Sequence, residues 1–334
     1  MELISGKIGD ANYHLFDEVL TEVYSAYPHY VSFAHKINTH LAVQYHVVLL
    51  NGKPVARCVS YNNENLIHEN SNPFVFGNFE SINNQEAVNF LLVELKKLAK
   101  TQSKTNIVGP MSGSTWYDYR IAVPNNNPLF FTEFFTPAYY YELLHKAGFT
   151  CLAKYKSTHA KSYVVDERKL HQCESIFNEK GVTIRQLDLA NFESDLEHIF
   201  QVSLEGFKNN FMYSPITREE FMQKYLPLKA LIDPATVFLV FDGEKCVGFS
   251  MSLMNLLNKE KKQLVMKSAA RLPDYKYKGL GTWFNEITKS GAKQRGYEEL
   301  IPAFIIDDSV SERTFSNSND SVLYREYELL QMKV

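Results

Sequence analysis

The chain has 334 residues, of which 45% are hydrophobic and 22% charged, so its composition is that of an ordinary soluble globular protein. This length favours two domains over one. A formal net charge of −3 argues against general nucleic-acid binding, which normally needs a basic surface. No apolar run is long enough to cross a bilayer, and MELISGKIGD lacks the basic and apolar regions of a signal peptide. We therefore expect a cytoplasmic protein that binds neither nucleic acid nor membrane.

The cysteines and histidines show no metal-binding spacing. Cys58, Cys151, Cys173 and Cys246 are scattered without a CxxC pair, and the ten histidines include no HxH or HExxH. We expect reduced, mostly packed thiols and no bound metal.

In chain order, the first predicted element is a helical segment, YHLFDEVLTEVYSAY. The stretch His46–Ser60 then predicts a hairpin that turns at an Asn-Gly pair, because this pair favours tight hairpin turns between alternating strands. The elements predicted after it are a strand at Pro73–Ile82, a helix at Glu86–Lys100 and a strand at Asn106–Met111.

The second half of the chain repeats this order. The helical segment ESDLEHIFQVSLEGF precedes a second hairpin, Thr236–Leu253, which we expect to turn at Asp242-Gly243. The elements predicted after it are a strand at Gln263–Leu272, a helix at Gly279–Gly296 and a strand at Glu298–Ile306. Because the order agrees element for element, two similar α/β domains are the economical interpretation, and a chance match of hairpins is the alternative.

The boundary is predicted in VVDERKLHQCESIFNEKG, which is charged and ends in glycine. We assign 1–165 to a first domain, 166–181 to a linker that contains a short connecting helix, and 182–334 to a second domain.

The stretch YKYKGLGTWFNEI puts two lysines and two glycines where the strand Gln263–Leu272 ends and the next helix begins. Glycine lets the backbone approach a ligand closely, and the first turn of a helix has amides without intrahelical acceptors. An apolar stripe fixes this helix against the sheet: Leu280, Phe284, Ile287 and Gly291. Amides of 278–282 can then point at one anion, aided by the helix dipole and both lysines. The corner suits a diphosphate; glycines that serve only packing are the alternative.

The residues RLPDYKYKGLGTWF resemble the acetyl-CoA loop of the GNAT superfamily of N-acetyltransferases, whose signature is Q/R-x-x-G-x-G/A after a proline. Lys276, Gly279 and Gly281 occupy the signature positions, preceded by Pro273 and Tyr275. FKNNFMYSPITREEF and VGPMSGSTWYDYRIA resemble parts of two-domain GNAT-like proteins, which extends the resemblance over nearly the full chain. It implies two GNAT-like domains, each with a central, mostly antiparallel sheet flanked by helices.

The resemblance also implies an activity: transfer of an acetyl group from acetyl-CoA to an amine, by direct attack on the thioester in a ternary complex. The second domain would bind acetyl-CoA, and the first would be a degenerate copy that shapes the acceptor site, because its INNQEA has no glycine. Backbone N–H groups near Ser268–Arg271 would hold the thioester oxygen. The residues implied to bind acetyl-CoA are Ala269, Ala270, Arg271, Lys276, Tyr277, Lys278, Gly279, Leu280, Gly281 and Thr282.

Three positions depart from the family pattern. Lys276 replaces the signature's Gln or Arg, which keeps a charge but loses the planar fork that binds bidentately. Tyr277 stands where many members have glycine, and Arg271 where a small apolar residue is usual. We expect the change at Lys276 to weaken CoA binding without abolishing it, whereas Arg271 is expected to add either a phosphate contact or a salt bridge.

Catalytic side chains are harder to assign, because VMKSAARL carries no carboxylate. Asp307 and Asp308 follow the last strand of the predicted cleft and are the candidate bases, although Asp308 also suits a helix cap. In many GNAT enzymes a tyrosine protonates the leaving group, and the corresponding position of this chain is near Phe315, which cannot donate a proton. Tyr324 is the substitute candidate, with packing as the alternative.

The acceptor is expected to be a small-molecule or peptide amine, held near Asn210 and Tyr213 by a monomer or homodimer. No acidic trench or basic stripe identifies it further. Two other functions stay open. One is transfer from a longer acyl-CoA, because the loop contacts only the diphosphate part of CoA. The other is a non-catalytic CoA-binding sensor or interaction module, which the missing base favours.

Overall fold

The computed structural model describes residues 1–27, 30, 36–307, 309, 312 and 321–334. Its strands are β1 Glu2–Gly6, β2 Ala42–Leu50, β3 Lys53–Tyr61, β4 Phe74–Ser81, β5 Asn106–Gly109, β6 Ile121–Ala122, β7 Thr150–Ala160, β8 Val182–Gln186, β9 Val237–Asp242, β10 Lys245–Met254, β11 Gln263–Arg271, β12 Glu299–Pro302, β13 Ile305–Ile306 and β14 Ser321–Lys333. Its α-helices are α1 His14–Tyr24, α2 Gln85–Thr101, α3 Tyr139–Lys146, α4 Glu167–Glu179, α5 Phe192–Gly206, α6 Arg218–Tyr225 and α7 Leu280–Gln294. The mixed α/β class is confirmed.

All these strands belong to one sheet, in the order β1-β2-β3-β4-β5-β14-β7-β12-β11-β10-β9-β8, with β6 beside β14 and β13 beside β7. Two pairs are parallel, β4 with β5 and β11 with β12, and the other pairs are antiparallel. Each parallel pair is joined by a helix, α2 or α7, as a parallel connection requires.

The two halves of the chain exchange their last strands. β14, from the C-terminus, lies between β5 and β7 of the first half, while β7 bonds to β12 of the second half at Leu300 and Ala160. Tyr327, Leu329, Leu330 and Met332 of β14 are buried in the core of the first half. The sheet therefore crosses the boundaries predicted at 165 and 182, and two separate domains stay a prediction.

The hairpins of the two halves share an irregularity. In the first, the register between β2 and β3 shifts so that Val55 is unpaired; in the second, the same shift between β9 and β10 leaves out Val247. The carbonyl of each bulge residue accepts a hydrogen bond from the residue directly after the next strand. The Ile82 amide donates to the Val55 carbonyl and the Leu272 amide donates to the Val247 carbonyl, both at 2.9 Å. A shared bulge with a shared bond supports duplication more strongly than the order of elements does.

Helices cover both faces of the second half's sheet. Leu239 packs with α5 and α6, whereas its neighbour Val240 packs with α4 and α7, because successive strand residues point to opposite faces. α4, the helix expected within the linker, lies on α7, where the rings of Phe177 and Trp283 stack with centroids 5.1 Å apart. This contact holds the first turn of α7 against α4.

Two local predictions need correction. The second hairpin turns at Gly243-Glu244, not Asp242-Gly243, because Asp242 pairs with Lys245. The strand expected over Glu298–Ile306 is broken into β12 and β13 by Phe304, whose φ is 58°. None of the helices in the described part of the chain combines the length and apolar character needed to cross a membrane.

Candidate functional site

The glycine corner lies between β11 and α7 and is open to solvent. A single 3-10 turn, Tyr275–Tyr277, leads into Gly279, which is exposed and has a φ of 105°. Side chains other than glycine are strained in this left-handed region. The glycine therefore permits the sharp entry of the chain into α7.

The first turn of α7 presents unbonded amides at this corner. The first helical bonds run from Thr282 and Trp283 to the Gly279 carbonyl. The amides of Gly279, Leu280 and Gly281 precede them, and no side chain caps the helix. These N–H groups and the positive end of the helix dipole together favour an anion.

Two of the cations predicted to bind CoA, Lys276 and Arg271, also hold the loop together, and their role in CoA binding stays a prediction. Lys276 Nζ forms an ion pair with Asp242 at 2.5 Å, and the Tyr277 hydroxyl donates to the same carboxylate at 2.9 Å. These bonds, led by that from Lys276, lower the pKa of Asp242. Arg271 Nη1 donates to the carbonyls of Leu272 and Asp274. The loop is thus held in place before any ligand arrives.

Beside the corner, β11 and β12 separate. They pair only over Gln263–Met266 and Glu299–Pro302, and a last bond runs from Ala303 N to Met266 O at 3.1 Å. β11 continues to Arg271 while bonded to β10 on its other edge. Within the described part of the chain, the edge from Lys267 to Arg271, which includes Ala269 and Ala270, faces no strand. An extended ligand with amide groups can bond to such an edge.

The predicted catalytic side chains do not assemble there. Asp308 and Phe315 lie outside the described residues. Asp307 is exposed and 3.6 Å from Lys156. Tyr324 is buried, and its hydroxyl donates to the Pro128 carbonyl at 2.8 Å. Burial raises the pKa of Tyr324 to about 12. These contacts are those of a packing residue, and its role as an acid stays a prediction.

Asn210 and Tyr213 lie in the turns after α5. Asn210 is exposed, and its amide donates to the Phe207 carbonyl. The Tyr213 hydroxyl donates to the Leu204 carbonyl at 3.2 Å, and its ring lies against Trp116 of the first half. Their role in binding an acceptor stays a prediction.

Two features escaped the sequence analysis. A small, open pocket lies where the halves meet; among its lining residues are Tyr117, Arg120, Glu133, Phe304 and Tyr327. Lys267 is the bulge residue of β11, between the pairs Met251–Ser268 and Ser252–Met266. A lysine inside the apolar strand QLVMKSAAR was the available signal. No sequence signal identified the pocket, because segments far apart in the chain build it.

No group of three or more His, Cys, Asp or Glu side chains in the described residues is placed to hold a metal.

No protein-family model matches the sequence, and no curated protein matches it. Solved structures match its fold. The GCN5-related glucosamine N-acetyltransferase region of a fungal multi-domain GH3 β-N-acetylglucosaminidase matches with a TM-score of 0.59 at 11% identity, over 99% of this chain and 38% of that one. A GCN5-related N-acetyltransferase from Sphaerobacter thermophilus matches with a TM-score of 0.52 at 9% identity, over 99% and 95% of the two chains.

A tandem GNAT protein from the clavulanic acid biosynthesis pathway has a TM-score of 0.55 at 7% identity, with 99% and 98% of the two chains covered. This chain therefore spans well under half of the fungal protein but nearly all of the two others. At such identities the comparisons show the fold alone. The chain has the GCN5-related N-acetyltransferase fold in tandem arrangement, which confirms the predicted resemblance in fold.

Proposed function

We propose that the protein is an N-acyltransferase that binds acetyl-CoA in its second half and transfers the acetyl group to an amine. One observation carries the proposal: the open corner at Gly279 and the unpaired edge of β11 lie next to each other. The amides at the start of α7 suit the diphosphate of CoA, and the edge of Lys267–Arg271 suits the two amides of its pantetheine arm.

The reaction is direct attack in a ternary complex. The neutral amine attacks the thioester carbon, a C–N bond forms, the C–S bond breaks, and CoA leaves as a thiolate while the amine loses a proton. A backbone N–H from the edge of β11 stabilises the thioester oxygen as negative charge develops on it. Asp308 and Tyr324 are kept as the candidate base and acid.

The corner alone leaves the acyl chain open, so a longer acyl-CoA is the first alternative donor. A non-catalytic CoA sensor is a second candidate function, because the Tyr324 hydroxyl already donates to Pro128. Release of free thiol from acetyl-CoA, butyryl-CoA and octanoyl-CoA with a panel of amines separates the three. CoA binding without thiol release across the panel favours the sensor.

Calorimetric titration with acetyl-CoA tests the corner. Gly279→Asp puts a carboxylate among the amides of α7, and we expect it to weaken binding by on the order of 100-fold through charge repulsion and strain. Gly296→Asp is the matched control, because Gly296 also has a positive φ, 72°, but follows the other end of α7. Equal affinity in Gly279→Asp and the wild type, or no binding to the wild type, contradicts the proposal.

The cytoplasm is the proposed compartment. The cysteines Cys58, Cys151, Cys173 and Cys246 are all free thiols. Free thiols persist in a reducing compartment, which supports this location.

A further inference from the structure

Arg120 lines the small pocket between the halves, and two lysines, Lys224 and Lys267, lie against aromatic rings at or near it. The Arg120 guanidinium lies 4.1 Å from the ring centroids of both Tyr119 and Phe304. Lys224 Nζ lies 5.0 Å from the ring centroid of Tyr117, another lining residue. Lys267 Nζ lies 5.5 Å from the ring centroid of Tyr225, which is adjacent to Lys224 in the chain. The first half supplies one of these cations and the second half supplies two.

The cations affect one another. Burial lowers the pKa of Lys267 to about 8, and the charge of Arg120 acts in the same direction. Burial also lowers the pKa of Lys224, and Lys267 is among the neighbouring charges that lower it further. Partly desolvated cations that repel each other are stabilised by an anion placed between them.

The described carboxylates around the pocket offset this charge only in part, with Glu133 acting on Arg120 and Asp118 acting on Lys224. Glu133 forms an ion pair with Arg325, whose Nε lies 2.7 Å from the carboxylate. The same carboxylate accepts a hydrogen bond from the Tyr327 hydroxyl at 2.6 Å. Asp118 also lines the pocket. Within the described residues, Arg120, Lys224 and Lys267 form no ion pair, and Arg120 Nη1 is buried without a hydrogen-bond acceptor. Arg120, Lys224, Lys267 and Arg325 thus lie near three carboxylates, because Glu220 also accepts a hydrogen bond from the Tyr117 hydroxyl at 3.4 Å.

This charge lies next to the gap between β11 and β12. Lys267 directly follows Met266, the last residue of β11 that pairs with β12, and Phe304 directly follows Ala303, whose amide donates to the Met266 carbonyl. Phe304 lines the pocket and lies against Arg120. A ligand in the pocket is therefore adjacent to the place where the proposed function puts the thioester.

We propose that the acceptor amine carries an anionic group, a carboxylate or a phosphate, which Arg120, Lys224 and Lys267 bind in this pocket. The amine of the acceptor then points to the gap between β11 and β12. Arg120 supplies a planar pair of donors that matches either anion, while the two lysines act as point charges. The inference rests on the proposed function and names the class of its acceptor.

Three small amines test it: β-alanine carries a carboxylate, O-phosphoethanolamine a phosphate, and propylamine no anion. Each is titrated by calorimetry into the protein saturated with CoA. We expect at least one anion-bearing amine to bind about tenfold more tightly than propylamine, since a charge-assisted bond of this kind is worth about 1.5 kcal/mol or more. Which of the two binds more tightly distinguishes a carboxylate from a phosphate.

The variants Arg120→Met and Lys224→Met keep much of the aliphatic side chain but remove the charge, and each should abolish the preference. Lys229→Met is the control, because exposed Lys229 lies against the ring of Phe192 and not against the lining residue Tyr117, and its loss changes net charge equally. If both anion-bearing amines bind no more tightly than propylamine, or if the preference survives in Arg120→Met and Lys224→Met, the inference is overturned.

Acetyl-CoA titration of the same samples separates the two proposals. Wild-type protein that fails to bind acetyl-CoA contradicts the proposed function. Wild-type protein that binds acetyl-CoA but shows no preference for anion-bearing amines overturns only the acceptor class. Variants that keep the wild-type affinity for acetyl-CoA are folded, so a lost preference in them supports the inference.

Discussion

The corner at Gly279 has a counterpart in the first half, at Asn84, and the two are built differently. Both follow a strand whose end bonds to the bulge residue of the hairpin, Val55 or Val247. At the first corner, α2 begins almost at once, and the Asn84 side chain accepts a hydrogen bond from Ala87 N at 2.9 Å. At the second, the loop is longer, Gly279 has no side chain, and the amides stay open. One corner is closed by its own cap, and the other has no side-chain cap.

The strand gap differs in the same way. Phe76 O accepts a bond from Met111 N as Met266 O does from Ala303 N, so the next residues, Gly77 and Lys267, are equivalent. A Cβ on Gly77 would lie 2.5 Å from the Met111 carbonyl oxygen. In the first half, the backbone of Met111 fills the space beside Gly77. In the second half, the equivalent position carries the cationic side chain of Lys267. The two halves thus share these backbone bonds and differ in single side chains at equivalent positions.

The largest expected effect tests how separate the halves are. Without β14, the first half loses the strand between β5 and β7 and the buried side chains Tyr327, Leu329, Leu330 and Met332. At about 2 kcal/mol for each, the loss is about 8 kcal/mol, as large as the whole stability of many domains. We expect the fragment 1–165 to be unfolded by far-UV circular dichroism and amide NMR.

Addition of the peptide 321–334 is the control, and it should restore the folded spectrum. A fragment 1–165 that unfolds cooperatively on its own would show that the halves are independent domains, as the boundaries at 165 and 182 predict.

The sequence predicted hairpins, helices and their order because those signals are local: turn residues and periodic apolar positions. It did not predict the exchange of β7 and β14, since the partner of a strand depends on the path of the whole chain. The alternating pattern of β14 shows that it is a strand but not which sheet edge it joins.

A smaller effect tests the equivalence of Gly77 and Lys267. Gly77→Ala forces the backbone of Met111 and Ser112 to move, and we expect it to lower the free energy of unfolding by about 3 kcal/mol. Lys267→Ala at the equivalent position removes a partly exposed cation that faces Arg120 and should stay within about 1 kcal/mol of the wild type. Urea denaturation measures both; similar losses in the two variants would mean that the gaps are equally filled.

The site was predictable only where one segment builds it. Glycines 279 and 281 identified the corner because a helix start with free amides is a local feature. The ion pair of Lys276 with Asp242 was missed, because the two residues meet only through the packing of the loop on the second hairpin. The pocket lined by Arg120 was missed for the same reason, because its lining residues come from both halves.

The smallest expected effect tests the closed corner. Asn84→Ala removes the cap of α2 and should cost about 1 kcal/mol of stability, measured by urea denaturation. It frees the Ala87 amide, yet acetyl-CoA binding should not change, because the gap beside it is filled at Gly77 by the backbone of Met111. A second equivalent of acetyl-CoA bound by Asn84→Ala would show that the cap alone keeps the first corner closed. An unchanged stoichiometry with reduced stability would instead show that a ligand site here needs both an uncapped helix and an open strand edge.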